Sequence, residues 1–229
     1  MKVTVVVAVH DCEKYIGRCL RSLLDQSFPR RDMEIVVVDD GSTDNTRRVL
    51  DTFGDWIRVV RLEEQQGLPS ACNAGIRAAL SRYVVRVDAD DYVHEDFVRL
   101  LYLYLSLNPH YDAVACDYYV VDERETIVTR KNAMTDPIAC GVMFKKDDLI
   151  ELGLYDEGFM VHEDRDLRLR FEAEYSKVIR LELPLYRYRR HDNNMTNQLD
   201  RAQKYLHMLE QRHGKKPLPV VQAPAAGVQ

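Results

Sequence analysis

The chain has 229 residues, is 46% hydrophobic and carries a formal charge of −5. That is enough apolar side chain for one substantial core, and the acidic balance gives no general attraction to nucleic acid or to an anionic membrane. The five cysteines, Cys12, Cys19, Cys72, Cys116 and Cys140, are odd in number and show no C-x-x-C spacing, which speaks against a disulfide framework or a thiolate zinc site and for reduced thiols in a cytoplasmic protein.

Val3–Val9 is an apolar run that reads as a buried strand; it is too short for a signal-peptide core, and no later run approaches membrane-spanning length. The expectation is a soluble, cytoplasmic protein with room for peripheral membrane contact. Glu13–Gln26 then places Tyr15, Ile16, Cys19, Leu20, Leu23 and Leu24 on one helical face. Glu34–Val38 is a second strand, and Asp44–Phe53 a helix with Val49, Leu50 and Phe53 inward. Ile57–Leu62 is a third strand. Ser70–Leu80 is a helix offering Ala71, Ala74, Ala78 and Leu80 for packing. Tyr83–Val87 is a fourth strand, His94–Leu107 a helix stopped before Pro109, and Ala113–Cys116 a fifth strand. Strand and helix alternating at this spacing imply a parallel sheet covered on both faces, and the Val-rich runs suit strands buried on both sides.

After Tyr118 the pattern changes to short extended pieces and turns with one strong helix, Asp164–Tyr175. This part is expected to complete one wall of the same domain. Thr196–Arg212 reads as a terminal helix with Leu199, Ala202, Leu206 and Leu209 in a stripe, packed back on the domain in preference to dimerising, although the oligomeric state is left open. Gly214–Gln229 reads as a disordered tail. The division is thus residues 1–195 as one domain, in halves 1–117 and 118–195, then 196–213 and 214–229.

Acids fall where the predicted strands end: His10-Asp11 after the first, Asp39-Asp40-Gly41-Ser42 after the second, Asp88-Ala89-Asp90-Asp91 after the fourth. In open α/β sheets such ends line the ligand crevice. Carboxylates so close together repel unless a divalent cation sits among them, and oxygen ligands favour Mg²⁺ or Mn²⁺ shared with phosphates. Asp11 and Asp44 have an equally good reading as helix-start or turn residues. Three acids in four residues at 88–91 are harder to explain by capping.

Taken together, these segments resemble family 2 glycosyltransferases of the GT-A fold. Val37-Val38-Asp39-Asp40-Gly41-Ser42-Thr43-Asp44 resembles the nucleotide-binding segment, Asp88-Ala89-Asp90-Asp91 the D-x-D metal motif, and Gly67 through Ile76 the stretch between. His162-Glu163-Asp164-Arg165-Asp166-Leu167 is similar to the E-D motif and Tyr188-Arg189-Arg190-His191 to the late R-x-H segment. The resemblance runs from about Val3 to Thr196. It implies a Rossmann-like, mostly parallel sheet flanked by helices with a smaller acceptor-side region, and inverting transfer of a sugar from a nucleotide-sugar donor, a UDP-sugar, to a glycan or lipid-linked hydroxyl acceptor in cell-surface glycan synthesis.

The implied roles are residue-specific. Asp40 would contact the base, with backbone at Ala8, Val9 and His10 helping, and Asp88 the ribose or sugar. Asp90 would ligate Mn²⁺ or Mg²⁺ with Asp91 close by and His191 as a further metal or diphosphate contact. Asp164 would be the catalytic base. Three features depart from the pattern: Ala8 and Asp11 replace Pro and Asn, Cys72 stands where an arginine that can touch the nucleotide is usual, and Arg168 replaces an aromatic. Arg187, Arg189 and Arg190 could meet the diphosphate or form a solvated basic surface. A non-catalytic nucleotide-sugar-binding module and a nucleotidyltransferase are the alternatives, the latter lacking a Gly-rich N-terminal loop with an activating Lys or Arg. A dinucleotide dehydrogenase lacks its G-x-G-x-x-G, and an Asp-nucleophile phosphatase would carry D-x-D after the first strand.

Overall fold

The computed structural model describes residues 1–159, 162–175, 178–192, 194 and 207–214. The elements run β1 (Val3–Val9), α1 (Ile16–Leu24), β2 (Met33–Asp40), α2 (Thr46–Asp51), β3 (Arg58–Leu62), α3 (Leu68–Ala78), β4 (Tyr83–Arg86), β5 (Tyr92–Val93), α4 (Phe97–Leu107), β6 (Ala113–Val121), β7 (Ile127–Lys131), β8 (Val142–Lys145), α5 (Lys146–Glu151), α6 (Glu163–Glu174) and β9 (Ile179–Arg189). Nine strands form one sheet in the order β3-β2-β1-β4-β8-β6-β9-β5, with β7 paired to β6 off that path.

The two faces of β1 separate the core. Val3, Val5, Val7 and Val9 point towards α1 and α4, packing with Ile16, Leu20, Leu23, Phe97 and Leu101. Val6 points the other way, to Cys72 and Ile76 of α3 and Leu167 and Phe171 of α6. Alternation of a strand buried on both sides produces this division without any polar face. The β1–α3 approach is close: a Cβ added at Gly75 would collide with Val6.

β1, β2, β3 and β4 pair in parallel, as expected from the alternating pattern. β8 is antiparallel to both β4 and β6, and β7 to β6, while β9 is parallel to β6 and antiparallel to β5. The sheet is therefore mixed, and parallel pairing dominates only its first half. The expected wall after Tyr118 is part of this same sheet. β6 continues past the expected end at Cys116 to Val121, across the expected 117/118 division. Leu80 does not pack: α3 ends at Ala78, and Leu80 is 70% exposed.

Residues 207–213 are helical, and Leu209 is buried against Phe159 and Leu169 of α6. His213 Nε2 and Arg212 Nη1 lie 2.9 and 3.0 Å from Asp166 Oδ1. This segment packs back on the domain. Leu199, Ala202 and Leu206 of the expected stripe, and residues 215–229 of the expected tail, lie outside the described residues. No described helix is long and apolar enough to cross a membrane.

Candidate functional site

The chain order around β1 reverses between β2 and β4, so a crevice opens beyond the carboxyl ends of β1, β2 and β4. The segments that follow β1, β2 and β3 bond to one another. Asp40, 3% exposed, closes β2 and accepts from Gln66 N at 2.7 Å and Gly67 N at 2.9 Å, tying the segment before α3 to the strand end. Its carbonyl accepts from His10 Nδ1 at 2.7 Å. Asp39 faces away, buried, accepting from Ser42 N at 3.0 Å and Arg47 Nε at 2.9 Å. Gly41 makes the turn with φ +68°, and a Cβ there would sit 2.6 Å from Gln65 N.

Asp11 does not cap α1, which begins at Ile16 with Tyr15 as its N-cap residue. It accepts from Thr43 N at 2.7 Å and Asp44 N at 3.1 Å, and these donors hold its carboxyl below the ordinary range. Asp44 returns the contact from Glu13 N at 3.0 Å and also accepts from Thr46 N at 2.8 Å, at the start of α2. The local reading of these two acids as turn residues is the one the structure bears out.

After β4 the acids diverge. Asp90 is partly exposed, and its Oδ2 lies 2.8 Å from His191 Nε2, with Asn194 Nδ2 at 3.4 Å. The His191 ring stacks on Tyr15 at 4.8 Å. Asp88 is partly exposed and accepts from Arg86 Nε at 2.7 Å. Asp91, expected beside Asp90 at the metal, is buried. It is 1% exposed; Arg189 N donates to one oxygen at 2.7 Å and Tyr186 Oη to the other at 2.7 Å. Burial, then the charges of Asp90 and Asp88, push its carboxyl well above the ordinary range.

The residues present fit a divalent cation. The carboxylates of Asp88 and Asp91 and the Cys140 thiol lie within 4.8 Å of one another. The partly exposed Asp90 and the nearly buried His191 ring against it offer an oxygen and an imidazole nitrogen, a donor set suited to Mn²⁺ and tolerable to Mg²⁺. Beside His191 a cleft of about 440 Å³ opens between Asp11, Cys12, Tyr15, Asp44 and Glu123. The five cysteines are free, and burial pushes the Cys12, Cys72 and Cys116 thiols up to about 12, so they stay protonated.

The arginines near His191 are committed. Arg189, buried, donates from Nε to the Asp90 carbonyl at 2.9 Å and from Nη2 to Glu125 at 3.0 Å, with Tyr15 and Tyr92 rings on its guanidinium. Arg187 donates to the Pro184 carbonyl at 2.6 Å and lies over Tyr119. Arg190 lies over Tyr188. Arg189 thus fixes the Asp90 backbone, a role that side-chain type and spacing did not indicate. Tyr15, Tyr186 and Asn194 were missed for the same reason: strand pairing and loop return, not local pattern, bring them to the acids.

On the other side of the crevice α6 begins with three acids in its first turn, where the helix dipole favours negative charge. Their environments differ. Asp166 is fully buried, held by Arg170 Nε at 2.8 Å and by Arg212 and His213. Glu163, 5% exposed, bonds to Arg86 Nη1 at 3.1 Å; burial and then the Asp164 charge push its carboxyl up to about 7. Asp164 is partly exposed, and no described residue donates a hydrogen bond to its carboxylate. Arg168 reaches Glu172 Oε1 at 2.9 Å and the Ala133 carbonyl at 3.3 Å, bracing the loop opposite α6.

The chain was compared with known proteins. Over 126 residues it is 35% identical to the glycosyltransferase GlyG of Streptococcus pneumoniae serotype 4, covering 54% of this chain and 41% of that protein. Over 222 residues it is 28% identical to the glycosyltransferase EpsJ of Bacillus subtilis, covering 85% and 62%. Each match spans less than two thirds of the relative's length. Among solved structures, Staphylococcus aureus TarS residues 1–349 in complex with UDP-GlcNAc superposes with a TM-score of 0.76 at 21% identity, covering 86% of this chain and 61% of that one. The mannosyltransferase PcManGT of Pyrobaculum calidifontis, in complex with GDP-Man and Mn²⁺, gives 0.73 at 23% identity, covering 95% and 66%. These likenesses establish the fold as GT-A. The model for glycosyl transferase family 2 matches residues 4–164, from β1 to the carboxylate that opens α6, and the chain belongs to that family.

Proposed function

We propose that the protein is a metal-dependent, inverting glycosyltransferase that moves a sugar from a UDP-sugar to a hydroxyl of a glycan or lipid-linked acceptor in cell-surface polysaccharide synthesis. The observation that carries the reading is the pairing of two unlike carboxylates across the crevice. Asp90 sits with an imidazole at the strand ends, and Asp164 stands at the start of α6 with no described donor on its carboxylate. The first is what a cation-binding acid needs; the second is what a general base needs, an acceptor not already saturated.

In this reading Asp40 and the backbone at Ala8, Val9 and His10 line the base, and Asp88 faces the ribose or sugar. Asp90 and His191 would hold Mn²⁺ or Mg²⁺, with Asp91 behind them, and an ion held there would supply positive charge to offset that of a departing diphosphate. Asp164 takes the acceptor's proton as its oxygen attacks, from the side opposite the leaving group, so configuration inverts. TarS with UDP-GlcNAc and PcManGT with GDP-Man and Mn²⁺ support the donor class and the ion. The TarS of Staphylococcus aureus, a poly(ribitol-phosphate) β-N-acetylglucosaminyltransferase 36% identical over 102 residues, supports a cell-surface polymer as acceptor.

The test is turnover. Purified protein with Mn²⁺ and a panel of nucleotide-sugars should release nucleoside diphosphate from a UDP-sugar, faster with a hydroxyl acceptor present. Binding without release from any of them would make the protein a nucleotide-sugar-binding module instead.

A further inference from the structure

Arg86 ends β4 two residues before Asp88, and its side chain is 8% exposed. A cation withdrawn from water is costly unless partners compensate it. The two partners here come from opposite sides of the crevice. Nε donates to Asp88 Oδ1 at 2.7 Å, and Nη1 donates to Glu163 Oε1 at 3.1 Å. The Tyr155 ring lies 5.8 Å from the guanidinium carbon. β4 itself is held between β1 and β8 by strand pairing, so folding of the strand does not require this side chain to turn towards the crevice.

The start of α6 is tied down through its acids: Asp166 is held by Arg170, Arg212 and His213, and Glu163 by Arg86. Further along, Leu167 and Phe171 pack on the core. In the first turn, the ion pair with Arg86 joins α6 to the sheet. Space for the guanidinium comes from α3, where Cys72 presents a small thiol: Cys72, Arg86 and Tyr155 line one cavity of about 10 Å³.

We propose that Arg86 is a positioning residue for transfer. It ties Asp88 to Glu163 and so sets where Asp164, the next residue, stands relative to the donor. The proposal rests on the roles given above to Asp88 and Asp164. Losing Arg86 would leave Asp40, Asp90 and His191 seated by partners of their own, would free Asp88 from the guanidinium, and would release the first turn of α6.

The test uses the full chain with Arg86→Met, Arg86→Lys and Glu163→Gln, read in two ways. Hydrogen exchange should rise at least about tenfold in the first turn of α6 in Arg86→Met and stay unchanged in β1, β2 and β3. In the same variant the transfer kcat should fall about ten- to a hundredfold, with the donor dissociation constant within about fivefold of wild type. The share of donor lost to water should rise, because the base no longer meets the acceptor. Arg86→Lys, which keeps the charge but not the two-armed reach, should fall between. If Arg86→Met does not fold, Arg86→Lys and Glu163→Gln carry the same comparison. Folded variants with wild-type exchange in α6 and transfer within about twofold of wild type would overturn the proposal. A wild-type protein that turns over no nucleotide-sugar would instead sink the functional reading, and the exchange comparison would still decide whether Arg86 anchors α6.

Discussion

Asp11, Asp40 and Asp44 beside the first two strands and the acids that open α6 are held by different means. On the donor side Asp11, Asp40 and Asp44 accept from backbone N–H groups of neighbouring loops, two apiece. On α6, Glu163 and Asp166 are held by long cationic side chains, and Asp164 has no described donor. Backbone donors cannot rotate away, so the donor side is fixed as firmly as the strands that carry it. Guanidinium ties can lengthen, and the acceptor side is correspondingly adjustable. Under the proposed function this division would give the nucleotide a rigid seat and leave the base room to adjust to the acceptor.

Substitutions on each side should separate the two behaviours. The largest effect expected is from Asp164→Asn, which keeps shape and helix-start preference: the transfer rate should fall at least about a hundredfold, with folding and donor affinity intact. Stopped-assay transfer rates beside calorimetric donor binding measure this; near-normal transfer by a folded variant would remove Asp164 as the base. Asp166 is a poor substitute, being buried and fully engaged.

Gly41→Ala tests the rigid side. The left-handed φ and the nearby Gln65 N leave no room for a Cβ, so the variant should lose about 1–3 kcal/mol of stability and bind donor more weakly. Denaturant unfolding checks the first and titration the second. On the adjustable side, Leu209→Ala removes a buried contact with Phe159 and Leu169 and should cost about 2 kcal/mol, felt as faster hydrogen exchange in α6 with little change in β1 to β4.

The smallest effect concerns pH. The Glu163 carboxyl, pushed up from 4.5 to about 7, binds a proton in the folded state that the unfolded chain has released. Folded protein therefore holds more protons than unfolded between those values, and stability falls as pH rises through that window. Glu163→Gln should flatten this slope, seen as a smaller drop in melting temperature between pH 5 and pH 7, conditions set by that window. An unchanged slope would show that Glu163 is not the titrating group.

The same contrast explains what could be read in advance. β1, β2 and β4 are mostly apolar runs that end in acids or are followed by them within two residues, so element type, order and the placing of Asp40, Asp88 and Asp90 at strand ends follow from pattern alone. β7 is almost wholly exposed, β9 carries Pro184 and three arginines, and β5 is two residues long; none shows a buried period. Their pairing is set by contacts distant in sequence, and with it the positions of Tyr186 and Arg189. Arg86 was invisible for another reason: a charged residue ending a strand looks like a solvent-facing one until Glu163 is brought against it.

The claim tested most directly is that Asp90 seats a cation that seats the donor. Melting temperature should be measured for wild type and Asp90→Ala with a UDP-sugar, with and without Mn²⁺. Wild type should gain stability with both together, about 2.7 kcal/mol at a ligand concentration a hundred times its dissociation constant, and little with the sugar nucleotide alone. Asp90→Ala should melt like the unliganded wild type and show no joint gain. An equal Mn²⁺-dependent gain in Asp90→Ala, or none in wild type with any nucleotide-sugar, would contradict the account.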